Sequence, residues 1–202
     1  MAEIHANLHR IDPEPLIKEL ESQGFSLGPE SWFSSLMKHI EEEGREWMRE
    51  PLKWLIDHYP RDTPKALCHC DLHLINILVK DNQVTGVLDW GLRYENPAYD
   101  IATASITGWT LGPMVLPGHD WKGFVQRFID EYRNLMPLDS DIFEYYQAMK
   151  IFTVWRTIQY DIDVWLFPGV QETLNQLFKK ITGIEPQNPY IKNQTEDMYS
   201  FR

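Results

Sequence analysis

The segment LCHCDLHLINILV occupies residues 67–79, and VTGVLDWG occupies residues 84–91 after the polar turn KDNQ. Each segment contains an apolar run of strand length, and a polar turn between two such runs predicts a β-hairpin. A hairpin brings the outer ends of its strands together, so we expect Asn76 and Asp89 to lie close to Asp71 on the preceding loop. Carboxylate and amide oxygens bind hard cations. The stretch therefore predicts a site for a hard cation and a proton.

The composition is that of a folded globule. The chain has 202 residues, of which 43% are hydrophobic and 13% aromatic, and disordered chains have far fewer such residues. No apolar run is long enough to span a membrane, and the N-terminus lacks the pattern of a secretory signal. Cys68 and Cys70 are too close in sequence for a disulfide staple and suit a reducing compartment. We therefore expect a cytoplasmic protein without a membrane partner.

The net charge of −11 argues against nucleic acid as a partner, because a nucleic-acid-binding domain usually carries a basic patch. The same charge is compatible with a cationic small-molecule substrate. It also fits a well-solvated acidic surface with no role in binding. Composition alone leaves both of these interpretations open.

Most of the chain carries helical signals, with apolar residues repeating every three or four positions between Pro, Gly or Ser residues. The predicted helices cover residues 14–22, 32–48, 51–58, 98–107, 121–132, 142–155 and 174–181. Their aromatic stripes are expected to form the core, since an amphipathic helix needs such a face. A Gly/Pro-rich connection is predicted over 112–118, and residues 93–97 are predicted to be irregular. The expected fold class is α+β, mostly α-helical, with one small hairpin.

The polar residues of the stretch follow the order of a kinase site. A kinase has a catalytic Asp, an Asn after four intervening residues, and then an Asp before an apolar residue and Gly. Here Asp71, Asn76 and Asp89 take these places. The segment resembles the aminoglycoside phosphotransferase and choline-kinase-like family, with its signature H-G-D-L-H-x-x-N. Residues 96–102 (NPAYDIA) resemble that family's D-P-A-Y-D-L-A segment. Residues 8–12 (LHRID) resemble the helix end that comes before an insert in the same family.

The resemblance implies a protein-kinase-like fold, ATP as phosphate donor, Mg²⁺ as cofactor and a small-molecule alcohol as acceptor. It implies that Asp71 is the catalytic base and that Asn76 and Asp89 bind the metal. Asn76, Asp89 and His73 would form the cofactor site, where His73 either reaches the transferred phosphate or steadies the loop. Asp100 would brace the catalytic loop.

Two features depart from the family pattern. Cys70 replaces a glycine of the signature, and no glycine-rich phosphate loop or strand-borne Lys occurs before Asp71. The chain is therefore expected to be a C-terminal lobe alone, over 1–183 with the catalytic hairpin at 66–91, followed by a polar tail over 184–202. We expect an incomplete phosphotransferase that needs a missing N-terminal lobe or a second chain.

Two alternatives remain at this stage. The chain could be a non-catalytic, pseudokinase-like binding or regulatory module that uses apolar surface left exposed by the missing lobe. It could also be a metal-dependent hydrolase with zinc held by a set of thiolate, imidazole and carboxylate groups. That set comprises Cys68, His69, Cys70, Asp71 and His73. Alternate residues of a strand face opposite ways, which disfavours convergence of all five.

Overall fold

A computed structural model describes residues 1–25, 30–158, 163–166 and 169–189 of the chain. The described chain is mostly helical with two small sheets, so the predicted mostly helical α+β class is confirmed. It divides into two compact units: Met1–Ser31 with Pro60–Gln147, and Trp32–Tyr59 with Ala148–Arg202. None of the described helices is both long enough and apolar enough to cross a bilayer.

Nine α-helices are found in the described ranges. They are α1 (Ala2–His9), α2 (Glu14–Ser22), α3 (Glu30–Glu42), α4 (Arg49–Asp57), α5 (Ala98–Thr110), α6 (Gly112–Val115), α7 (Trp121–Leu135), α8 (Ser140–Thr157) and α9 (Val170–Thr182). The helix predicted over 14–22 has these bounds, and the other predicted helices differ mainly at their ends. At the start of α7, the Asp120 carboxylate accepts a hydrogen bond from the Gly123 amide at 2.8 Å, which satisfies one unpaired donor of the first turn.

The helix predicted over 32–48 was too long. Helix α3 ends at Glu42, because Gly44 adopts a φ of 66°, a left-handed conformation that ends helices. A 3-10 turn then covers Glu46–Met48, and α4 begins at Arg49 rather than at Pro51. Proline fits the first turn of a helix because the amide that it lacks has no partner there. The predicted connection over 112–118 also contains a short helix, α6.

The predicted hairpin is present at its turn. Strands β2 (Ile77–Lys80) and β3 (Gln83–Val87) pair antiparallel, and Ile77 lies opposite Val87. The two turn residues, Asp81 and Asn82, have φ values of 51° and 60°. Two positive φ angles characterise the tight turn that matches the twist of a hairpin, and Asp and Asn tolerate them.

The first part of the quoted stretch belongs to a different sheet. Strand β1 (Ala66–Cys68) pairs antiparallel with β4 (Arg93–Glu95), so the irregular conformation predicted for residues 93–95 was wrong. Three-residue strands are too short to show an alternating pattern. The two sheets place the loop that carries Asp71 between β1 and β2, and the return of the chain from β3 to β4 runs beside it.

The core of the first unit forms around α5, which packs with α7 and is buried on almost every side. Helix α1 also packs on α7. The predicted core stripe of α7 is confirmed for Phe128, Ile129 and Tyr132. Trp121 and Phe124, at the start of the same stripe, are only half-buried. They line a cavity instead of filling the core.

The second unit has a separate aromatic core. Trp155 and Phe178 are fully buried, with ring centroids 4.7 Å apart. Within the predicted polar tail, Asn188 is buried and donates a hydrogen bond to Gln171 Oε1 at 2.8 Å. Residues 190–202 of that tail lie outside the described residues.

Candidate functional site

The loop between β1 and β2 brings three of the predicted site residues together. The Asn76 side-chain amide donates a hydrogen bond to the Asp71 carbonyl at 2.9 Å. His73 Nε2 lies 3.5 Å from Asp71 Oδ2, and the Asp71 side chain is 41% exposed. The Asp71 amide donates to His69 Nδ1 at 3.3 Å. The Asp71 carboxylate is therefore held by a folded loop and remains open to solvent.

The chain returning from β3 places Asp89 beside this loop. The Leu88 amide donates to the Asn76 carbonyl at 2.9 Å, and the Gly91 amide donates to the His69 carbonyl at 3.0 Å. Asp89 lies between these two backbone contacts, is exposed, and forms no ion pair with the described residues. Its φ of 62° is a left-handed conformation that Asp tolerates at some cost. The loop and the hairpin end therefore present Asn76 and Asp89 next to each other.

Asp100 anchors the loop that carries Asp71. One carboxylate oxygen of Asp100 accepts the His69 amide and the other accepts the Cys70 amide, both at 2.7 Å. His9 Nε2 lies 3.2 Å from the same carboxylate. Burial alone would raise the pKa of Asp100, but the hydrogen bonds from His9 and the backbone hold that pKa below its usual range. Asp100 is thus a buried, charged hydrogen-bond acceptor that supports the loop, as the resemblance implied.

His9 is the residue of this network to which the sequence assigned no role. Its Nδ1 lies 2.8 Å from the Tyr132 hydroxyl, so His9 connects Asp100 to α7. His5, one turn earlier on α1, is also buried, and burial lowers its pKa to about 4. Two histidines four residues apart on an otherwise apolar helix face were the available signal, since such spacing places both on one side.

His69 is a packed residue of the loop. Its side chain is fully buried, and its ring centroid lies 4.5 Å from that of Trp90. Its Nδ1 accepts a hydrogen bond from the Asp71 amide. The contact of His69 with its neighbour's backbone supports the loop rather than the reacting groups.

Cys70 keeps a glycine-like conformation although it replaces the family's glycine. Its φ is 77°, in the left-handed region that side chains with a Cβ disfavour by roughly 1–2 kcal/mol. Both amides bonded to Asp100 belong to this turn, at His69 and Cys70. Residue 70 therefore adopts the left-handed conformation that glycine favours, and the strain of Cys70 is the cost.

We expect Cys70→Gly to stabilise the protein by roughly 0.5–1 kcal/mol. Glycine removes the strain at this position but loses about 0.5–1 kcal/mol through its greater freedom in the unfolded chain. Urea denaturation measures the free energy of unfolding. Cys70→Ala is the matched control, because alanine keeps the Cβ and the strain. Equal stability of the glycine and alanine variants would contradict strain at Cys70.

The zinc site considered from the sequence does not assemble. Among the described residues, the metal-ligating side chains that come within 4.8 Å of one another are His9, Cys68 and Asp100. The hydrogen bonds described above already occupy the ring nitrogens of His9 and the carboxylate of Asp100. Burial raises the pKa of the Cys68 thiol well above its usual value, which disfavours the thiolate that zinc needs. The metal-dependent hydrolase is therefore not supported.

Comparison with known families identifies the chain. The model of a family described as the phosphotransferase enzyme family matches residues 1–139, more than half of the 202 residues. The matched range contains the catalytic loop, the hairpin end and the Asp100 anchor. Comparisons with curated proteins and with solved structures find no significant match.

Proposed function

The chain belongs to the phosphotransferase enzyme family, and from this premise we propose that it transfers the γ-phosphoryl group of ATP to a hydroxyl of a small molecule. The observation that carries the proposal is the contact of Asn76 with Asp71, combined with the backbone contacts that bring Asp89 beside them. Phosphoryl transfer needs an acceptor-orienting carboxylate and oxygen ligands for a metal, which these residues can supply.

Asp71 orients the acceptor hydroxyl and takes its proton. The hydroxyl oxygen forms a bond to the γ-phosphorus, the bond from that phosphorus to the bridging oxygen breaks, and ADP leaves with the bonding electrons. The hydroxyl proton passes to the Asp71 carboxylate. The half-exposed position of Asp71 allows an acceptor to approach, and the hydrogen bond from Asn76 holds the backbone that carries its carboxylate.

Asn76 and Asp89 have donor atoms suited to Mg²⁺. The Asn76 side-chain nitrogen donates to the Asp71 carbonyl, so its amide oxygen is left as a possible ligand. Asp89 adds an exposed carboxylate without an ion pair in the described parts of the chain. Mg²⁺ binds through one or two such oxygens together with substrate phosphates and water. When bound, the ion would neutralise charge on the nucleotide phosphates.

The nucleotide needs further contacts that this sequence does not encode in recognisable form. No G-x-G-x-x-G motif occurs among its 202 residues. In kinases, that loop and a strand-borne Lys hold the phosphates. We therefore propose that full activity requires these groups from another lobe or from a partner chain.

Nucleotide binding tests the metal assignment directly. We expect ATP to raise the unfolding temperature of the chain only when Mg²⁺ is present, because the metal bridges the phosphates to Asn76 and Asp89. Ligand at 100 times its Kd stabilises by about 2.7 kcal/mol. Asp89→Asn should remove most of this effect, whereas Asp81→Asn in the hairpin turn should keep it. Stabilisation that is absent from the wild type, or unchanged in Asp89→Asn, would overturn the proposal.

A second candidate function is a non-catalytic binding module, and one observation favours it. Six large apolar side chains on and after the hairpin are between 43% and 62% exposed. They are Leu78, Val79, Val84, Leu88, Trp90 and Leu92. Exposed apolar side chains concentrated in one segment of a chain are typical of surfaces covered by another polypeptide. Size-exclusion chromatography at several concentrations tests this function, which a strict monomer together with Mg²⁺-dependent ATP binding would contradict.

A further inference from the structure

A cavity of about 260 Å³ opens beside the catalytic loop. Its walls come from the loop segment that includes His73, from α5 and from the start of α7. An apolar cavity of about 150 Å³ holds a benzene ring, so this cavity has room for a somewhat larger ring compound. None of its lining side chains is Asp, Glu, Lys or Arg.

The far wall of the cavity is aromatic and fixed in place. The indole of Trp121 donates its N–H to the Leu116 carbonyl at 3.0 Å, which leaves the ring faces for apolar contact. Trp121 and Phe124 pack edge to face, with centroids 5.5 Å apart. Gly112 allows the indole to approach, since a Cβ at that position would lie 2.3 Å from the Trp121 ring. A wall of this kind suits a flat apolar group.

Two polar atoms in the cavity wall lack hydrogen-bond partners among the described residues. They are Thr107 Oγ1 and His73 Nδ1, and Thr107 is only 6% exposed. Ser105 and Thr110 on the same helix donate to the carbonyls four residues earlier, whereas Thr107 does not. An unpaired buried hydroxyl is costly, and the position of Thr107 in the cavity wall allows a bound molecule to supply the missing partner.

The cavity is connected to the proposed catalytic base. His73 lines the cavity, and its other ring nitrogen lies 3.5 Å from Asp71 Oδ2. A molecule seated against the aromatic wall would therefore have one end at His73, whose other ring nitrogen lies beside Asp71. A second polar group on the same molecule would face Thr107 in the cavity wall.

We propose that this cavity is the acceptor site and that it takes a neutral alcohol on a ring-sized apolar scaffold, with a second hydroxyl bound by Thr107. This inference rests on the proposed phosphotransferase function. It disfavours an acceptor with a primary ammonium group, because no carboxylate in the cavity lining replaces the hydration of that group. The net negative charge then serves to solvate the surface and does not select the acceptor.

Calorimetry without ATP tests the cavity separately from turnover. We expect 4-hydroxybenzyl alcohol to bind the chain and glucosamine not to bind. Thr107→Val should weaken binding of 4-hydroxybenzyl alcohol about fivefold, as expected for one neutral hydrogen bond. The same variant should leave binding of benzyl alcohol unchanged.

Thr103→Val is the matched control, because Thr103 is also a buried, unpaired threonine of α5 but does not line the cavity. It should leave the affinity for 4-hydroxybenzyl alcohol unchanged. Tighter binding of choline, or equal effects of the two valine variants, would overturn the acceptor class. Binding of aromatic alcohols by a chain that shows no Mg²⁺-dependent binding of ATP would leave the cavity assignment standing and count against the phosphotransferase. Phosphorylation of glucosamine or choline, without phosphorylation of an aromatic alcohol, would support the phosphotransferase and count against the cavity as the acceptor site.

Discussion

Asp71→Asn is expected to lower kcat for phosphate transfer from ATP to an alcohol by about 10²- to 10⁴-fold, the usual contribution of a positioned acid or base. Asparagine keeps the shape of the side chain but cannot accept the hydroxyl proton. The Asn76 contact is made to the Asp71 backbone carbonyl, so the loop should retain its fold. Steady-state rates with ATP and an acceptor alcohol, measured together with the Kd for ATP, separate loss of chemistry from loss of binding.

The matched control for this substitution is Asp81→Asn. Asp81 lies in the hairpin turn with a φ of 51°, a conformation that asparagine tolerates at least as well as aspartate. We expect its kcat to equal that of the wild type. A kcat for Asp71→Asn within threefold of the wild-type value would exclude Asp71 as the base. A large fall in the unfolding free energy would instead show that Asp71 acts on the fold.

Asp100→Asn is expected to destabilise the protein by about 3 kcal/mol, because it removes a buried charge that accepts two backbone amides and lies beside His9. An amide offers only one oxygen, so at least one of these donors loses its acceptor. Urea denaturation followed by tryptophan fluorescence measures the loss. Asp62→Asn, at an exposed position, is the matched control and should have almost no effect.

The difference between wild type and Asp100→Asn should depend on pH. The folded protein holds the pKa of Asp100 below its usual range, so the unfolded chain binds the proton more readily. The stabilisation is therefore complete above the unfolded pKa of about 4 and decreases as the pH falls further. Unfolding free energies at pH 7 and pH 3 should show a smaller difference at pH 3. An identical difference at both values would contradict a buried charged carboxylate.

The sequence predicted those features that depend on neighbouring residues. The turn at Asp81 and Asn82, the helix over 14–22 and the approach of Asn76 to Asp71 all follow from local spacing and turn chemistry. Local patterns also predicted one helix that is too long. The apolar periodicity through 32–48 continues across Gly44, but the backbone ends the helix there. A helical period is a weaker determinant than a single left-handed residue at that point.

The features that were missed depend on contacts between distant residues. Strand β1 pairs with β4, 27 residues further along, and neither is long enough to show a strand pattern. His9 meets Asp100 across 91 residues of sequence, and no local signal connects them. The cavity likewise forms only when α5, α7 and the loop at His73 come together. The strand pairing, the contact of His9 with Asp100 and the cavity all depend on tertiary packing, which a short stretch of sequence does not reveal.

The hydrogen-bonded anchor of the catalytic loop also sets an order of events during synthesis. The loop receives its support from Asp100, which leaves the ribosome about 30 residues after the loop itself, at roughly 5–20 residues per second. The contacts of His9 are completed later still, because its second partner is Tyr132, which follows it by 123 residues. A nascent chain that ends between Asp89 and Tyr132 therefore carries every proposed catalytic side chain but lacks the completed support beneath them.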